Sequence, residues 1–205
     1  MKIITQRLIF LLFFISVEAH LFAQKAYQGG YIIDNNNDTI YGKVKDRIPD
    51  PFGKLYKKIR FKASRGLPMR FSPNDIKGYK KGNEEYISMW YYETTEFFNI
   101  KTYNSEGYGN KEFFKIAAKG YLSYYYLYYE DEDGINYKGY FKRDGYEEMV
   151  FVRTGIFGLN KKRLAVYFND CTELKEMIES RKIKDPFEIL YYYNKWYKAL
   201  RNTMN

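Results

Sequence analysis

Residues 121–129 read Tyr-Leu-Ser-Tyr-Tyr-Tyr-Leu-Tyr-Tyr. Aromatic rings suit a pleated, half-buried surface, so this run is read as a strand over residues 121–130. Tyrosine can bury its ring while its hydroxyl stays wet or finds a partner. The bias extends along the chain, which carries 24 tyrosines and 16 phenylalanines in 205 residues. Such abundance speaks first about folding and only then about a binding face.

Working outward, Asp133-Gly134 and Asp144-Gly145 supply turns, and strands are expected at 135–142, 148–153 and 155–159. Upstream, strands are expected at 112–118, 97–103, 86–92, 69–72 and 56–62. The stretch Tyr56–Lys62 alternates, with Lys58, Arg60 and Lys62 on one face and Ile59 and Phe61 on the other, as a strand wetted on one side does. Two extended runs, Gly30–Asp34 and Thr39–Lys45, flank Asn35-Asn36-Asn37-Asp38 and read as a hairpin. Strands at this spacing imply a mostly antiparallel β meander, closed or rolled into a barrel or sandwich.

The period changes after Asn160. Leu164, Tyr167, Phe168, Cys171, Leu174 and Ile178 recur at three and four, the spacing of one helical face. Asp170 with Glu173 can form a capping box where a helix restarts. Asp185, Pro186 and Glu188 mark the start of a last helix, with Ile189, Tyr193, Trp196, Tyr197 and Leu200 along one side. The expected class is α+β, with two or three C-terminal helices over about residues 160–205. A charged amphipathic end of this kind argues against an outer-membrane barrel, which should finish on a strand.

The N-terminus has the order of a secretory signal peptide. Lys2 and Arg7 precede an apolar run, Leu8–Val17, and small residues follow at Ala19 and Ala23. Ten such positions are too few to span a bilayer, which needs about 20. Residues 1–23 are therefore expected to be cut away, leaving 24–205 as one β-rich domain in the periplasm or outer envelope. That cut removes His20, the only histidine, so histidine-dependent triads and imidazole-ligated zinc are excluded from the mature chain. The single cysteine, Cys171, can form no internal disulfide and reads as a small buried hydrophobe.

The mature chain keeps 32 basic and 24 acidic residues, and the excess is uneven. Residues 24–65 hold ten basic groups against four acidic ones, whereas 106–150 hold six against nine. A basic exported protein meets anionic glycans, lipid headgroups or acidic partners; nucleic acid also fits the charge, but export argues against it, and no nucleic-acid partner is expected. Glu130-Asp131-Glu132-Asp133-Gly134 is the densest acidic run. It lacks the ligand spacing of a calcium loop and reads as a hairpin tip, so no metal and no cofactor are assigned. No phosphate-binding glycine motif occurs.

Sugar rings stack on exposed tyrosine and tryptophan, which nominates two sets for binding. Trp90 and Tyr92 share one strand face, and Tyr124, Tyr126 and Tyr128 share another. Cross-strand stabilisation of the sheet is the competing role for these rings. The expected function is an exported, non-enzymatic binding or accessory protein with a protein or glycan partner. The alternative is a carboxylate-dependent hydrolase acting on an envelope polymer.

Four stretches together resemble a family of uncharacterised exported envelope proteins of Gram-negative bacteria. They are Gly30-Tyr31-Ile32-Ile33 with Asp38-Thr39-Ile40-Tyr41-Gly42-Lys43-Val44, then Phe71-Ser72-Pro73-Asn74-Asp75-Ile76-Lys77-Gly78-Tyr79. The third is Tyr167-Phe168-Asn169-Asp170-Cys171-Thr172-Glu173-Leu174, and the last Tyr192-Tyr193-Asn194. Thr172 stands where that pattern has proline. The motifs are structural in character, and the resemblance implies an envelope address without an assigned activity or site.

Overall fold

The computed structural model describes residues 27–47, 57–96, 99–132, 134–154 and 158–204. The expected leader, residues 1–23, lies outside them. The strands are β1 (Gln28–Asp34), β2 (Thr39–Lys45), β3 (Ile59–Ala63), β4 (Met69–Phe71), β5 (Ile76–Lys81) and β6 (Glu84–Glu96). They continue with β7 (Asn99–Tyr103), β8 (Asn110–Ala118), β9 (Leu122–Asp131), β10 (Gly134–Arg143) and β11 (Glu148–Thr154). Three helices close the chain: α1 (Lys161–Tyr167), α2 (Thr172–Glu179) and α3 (Pro186–Met204).

The chain is mostly antiparallel β, with a closed six-stranded barrel, extra strands and three C-terminal helices, in agreement with the expected class. The ring runs β6-β7-β11-β10-β9-β8 and returns to β6, with β5, β1, β2, β3 and β4 continuing outward from β6. Three pairings depart from a simple meander: β1 lies beside β5, β6 beside β8, and β7 beside β11. The 13-residue β6 joins both parts. Its residues 84–87 pair with β5, 86–91 with β8, and 92–96 with β7. Register shifts at Gly139/Tyr140 and Ile116/Ala118 help the sheet to curl, because a bulge bends its strand.

Side chains alternate across the barrel wall. Met89, Phe114, Leu127, Tyr140 and Met149 form a buried cluster from five ring strands, and the buried Thr102 comes from the sixth. Phe114 and Tyr140, on strands that are not neighbours, bring their ring centroids to 6.2 Å. This face is the barrel interior, and it is filled.

The outer face is covered twice. Over β9–β11, Leu122, Tyr124, Phe141 and Val152 pack under Leu164, Phe168, Leu174, Ile178, Ile189 and Tyr193 of the helical layer. Over β8, Phe113 packs beneath the N-terminal sheet, against Ile32, Val44, Phe61, Tyr79 and Tyr86. Burying each such aliphatic or phenyl side chain contributes about 1.5–3 kcal/mol. Both layers thus occupy barrel surface that lipid would cover in a membrane barrel.

Several local expectations need correction. Strand β5 was not expected, because Gly78 and the Ser-Pro-Asn-Asp turn before it hide the alternation. A Cβ at Gly78 would lie 2.5 Å from the Tyr86 carbonyl oxygen, so glycine serves close strand approach there. The expected strand at 155–159 does not form at 158–159, and 155–157 lie outside the described residues. The Asp170 capping box also fails. Cys171 occupies the N-cap of α2 without a side-chain bond. Asp170 instead accepts from Arg143 Nη2 at 2.9 Å and from the Tyr193 hydroxyl at 2.6 Å. Asp185 does cap α3, accepting the Phe187 N–H at 2.7 Å.

Candidate functional site

The N-terminal sheet has two unlike faces. Ile32, Val44, Ile59 and Phe61 are buried against the barrel, so their strand neighbours point the other way. Register assembles that outer face into rows. Arg60 lies opposite both Arg70 and Lys45. Lys62 lies opposite Lys43, and Lys43 opposite Gly29. Tyr41 lies opposite Tyr31, and Tyr31 opposite Lys80.

Like charges directly opposite one another destabilise a sheet, by up to about 1 kcal/mol per pair. Natural surfaces usually intersperse the two signs. None of Lys43, Lys45, Arg60, Lys62 and Arg70 forms an ion pair among the described residues. Protection of an exposed edge explains a cation on β4, the last strand. It does not explain Lys43, Arg60 and Lys62, which sit on interior strands.

Beside the cations stands an exposed ring. Tyr41 is 71% exposed, and its partner Tyr31 meets it edge-on at 5.8 Å. Tyr31 is fixed in turn by donating its hydroxyl to Glu85 Oε1 at 3.3 Å. Burial and that carboxylate raise the Tyr31 pKa. Glu85 marks the acidic margin of the face and is held by Lys119 at 2.9 Å. The result is a cationic face with a largely exposed aromatic ring beside it, chemically able to pair with negative charge and to stack against a ring.

The residues nominated from sequence fall in different places. Tyr124, Tyr126 and Tyr128 do share the outer barrel face, but Tyr124 is fully buried in the helical-layer core. Its ring meets Phe141 at 4.9 Å and Phe187 at 5.5 Å. A Cβ on Gly139 would come within 2.6 Å of its hydroxyl. Tyr126 and Tyr128 are half-buried and meet Tyr137, at 4.8 and 6.1 Å. Trp90 is partly exposed with Lys111 Nζ at 5.2 Å over its ring. Tyr92 stacks on Tyr103 at 5.3 Å and meets Tyr108 at 5.8 Å. These five therefore do not converge on one surface.

Lys43, Lys45, Arg70 and Tyr41 were not nominated from sequence. The alternation of Lys58, Arg60 and Lys62 carried the signal, yet only strand pairing places the other cations beside them.

At one mouth of the barrel, Tyr91 and Tyr140 bring their hydroxyls within 3.0 Å of each other and both donate to Glu93. Lys138 approaches the same carboxylate at 3.6 Å. Burial pushes both phenols well above the ordinary tyrosine range. Burial also raises the Glu112 carboxyl, with Lys57 and Arg47 opposing. Cys171 is buried, and burial raises its thiol. Among the described residues, no three His, Cys, Asp or Glu side chains gather as a metal set, and no helix is long and apolar enough to cross a membrane.

Comparison with family models, with curated proteins and with solved structures found no match to this chain.

Proposed function

We propose that this protein is a non-enzymatic binding module of the cell envelope whose ligand is an anionic glycan. The observation that carries the reading is the cationic outer face of the N-terminal sheet. Arg60, Lys62, Lys43 and Arg70 sit in direct cross-strand register, with the exposed Tyr41 ring beside them. A sheet that tolerates such repulsion gains from a ligand that supplies the missing negative charge. Carboxylates on a sugar chain can pair with the rows while a pyranose face covers Tyr41. The envelope address follows from the expected leader rather than from the site.

Affinity measured for polygalacturonate, neutral dextran, polyphosphate and a single-stranded oligonucleotide of matched charge tests this reading. Polygalacturonate should bind with salt-sensitive affinity and dextran should not. Tyr41→Ala should weaken polygalacturonate about fivefold to tenfold, a loss of about 1 kcal/mol, while leaving polyphosphate unchanged. Preference for the oligonucleotide would overturn the glycan assignment, and equal binding of dextran would overturn the role of charge.

A further inference from the structure

A cavity of about 450 Å³ opens between β7, β11 and α1, far in sequence from the cationic sheet. The volume falls in the range of small-molecule sites. Its apolar wall contains side chains that a soluble surface normally hides. Val166 is 74% exposed, Tyr146 54% and Ile100 44%, and all three line this one cavity. Val166 is informative because its neighbours Leu164 and Ala165 are buried: α1 turns one valine away from the core and into the groove. An exposed apolar group of this kind costs nothing to cover and favours a ligand that covers it.

The lining also carries Lys101, Arg143, Lys162 and Arg163 against a single acid, Glu148. Arg143 is committed to the fold, donating to the Tyr167 carbonyl oxygen and to Asp170, with its guanidinium carbon 4.4 Å from the Tyr167 ring centroid. Lys162 and Arg163 make no ion pair among the described residues. They are successive residues of α1, one turn before Val166, and supply positive charge at the edge of the apolar wall.

From this juxtaposition we infer that the groove between α1 and the β7–β11 edge binds a single-chain anionic amphiphile. The acyl chain lies against Val166, Ile100 and Tyr146, and the head group lies against Lys162 and Arg163. The chemistry required is one anionic head on one apolar chain, met equally by a fatty acid and by an alkyl phosphate.

Displacement of 1-anilinonaphthalene-8-sulfonate by dodecanoate and dodecyl phosphate, below their micellar concentrations, and by dodecanol, below its solubility limit, tests the site. Both anions should displace the dye saturably and more tightly than dodecanol. A preference between the two anions identifies the source of the head group. Val166→Asp, at an exposed position that spares the core, should lower dodecanoate affinity at least tenfold. Lys162→Glu with Arg163→Glu should abolish the advantage of the anions over dodecanol. Unchanged affinity in Val166→Asp, or equal binding of dodecanol and dodecanoate to the native protein, would overturn the inference.

Discussion

Two layers cover the same barrel, and they treat charge in opposite ways. In the helical layer, Arg143 is drawn in among Tyr167, Phe168 and Tyr193, and Asp170 neutralises it at 2.9 Å. In the N-terminal sheet, Arg60 and Lys62 stay on the open face, opposite further cations. The inner faces of the two layers are alike, each a closed aromatic and aliphatic core. The difference lies in what each charge satisfies. Arg143 is consumed by the fold, whereas Arg60 and Lys62 are left without an ion pair among the described residues, on the face proposed to bind a ligand.

The largest expected effects show the likeness of the two cores. Phe141→Ala removes a ring that touches Tyr124 at 4.9 Å and Phe168 at 6.0 Å. Phe61→Ala removes one packed over Gly42 and against Phe71. Each should cost about 3–5 kcal/mol, read by urea unfolding. A cost below about 1 kcal/mol for Phe61→Ala would show that the sheet layer is not a true core.

Alkali should act on both layers together. Burial raises the phenols of Tyr79 and Tyr86 under the sheet, Tyr91 and Tyr140 in the barrel, and Tyr124 and Tyr193 under the helices. In the unfolded chain they ionise near the ordinary tyrosine value of 10.0, whereas the folded protein keeps them protonated. The unfolded state therefore holds fewer protons above that pH, and stability, intact below it, falls as pH rises. The slope is about 1.4 kcal/mol per pH unit for each such tyrosine. Stability unchanged between pH 10 and 12 would contradict the burial assigned to these rings.

Next in size is a matched pair. Arg143→Met loses charge-assisted bonds to Tyr167 and Asp170 and should destabilise by about 1.5–3 kcal/mol. Arg60→Met makes the same chemical change on the sheet and should be neutral or stabilising by up to about 1 kcal/mol, because cross-strand repulsion is relieved. Equal destabilisation would erase the contrast between the layers.

The smallest effect concerns the turn before β5. The Ser72 hydroxyl and N–H donate to Asp75 at 2.6 and 2.7 Å and hold its carboxyl below the ordinary range. A depressed folded pKa contributes stability above the unfolded value of 3.8 that is lost as pH falls through the folded one. Ser72→Ala should flatten that acid limb slightly in pH-dependent melting.

Much of this architecture was legible residue by residue. Alternation at Lys58–Lys62 and the aromatic run at 121–129 report a strand locally, since each neighbour faces the opposite side. The start of α3 was legible because Asp185 and Pro186 act within one turn. Asp170 was misread because its partners, Arg143 and Tyr193, lie 27 and 23 residues away. Strand β5 was missed because glycine at position 78 answers to the backbone of β6. The candidate site was legible only in part for the same reason. One cationic row appears in β3 alone, but its meeting with Lys43, Lys45 and Arg70 depends on pairing across loops. The aromatic residues were misleading singly, since Tyr124 and Tyr41 look alike in sequence and end at opposite extremes of exposure.

The most direct test is a double variant, Arg60→Ser with Lys62→Ser, titrated with polygalacturonate and melted in parallel. The account predicts about a hundredfold loss of affinity, or about 2.7 kcal/mol, with a melting temperature equal to or above that of the native protein. Unchanged affinity would contradict the binding role of the face, and a large fall in melting temperature would show that these cations belong to the fold.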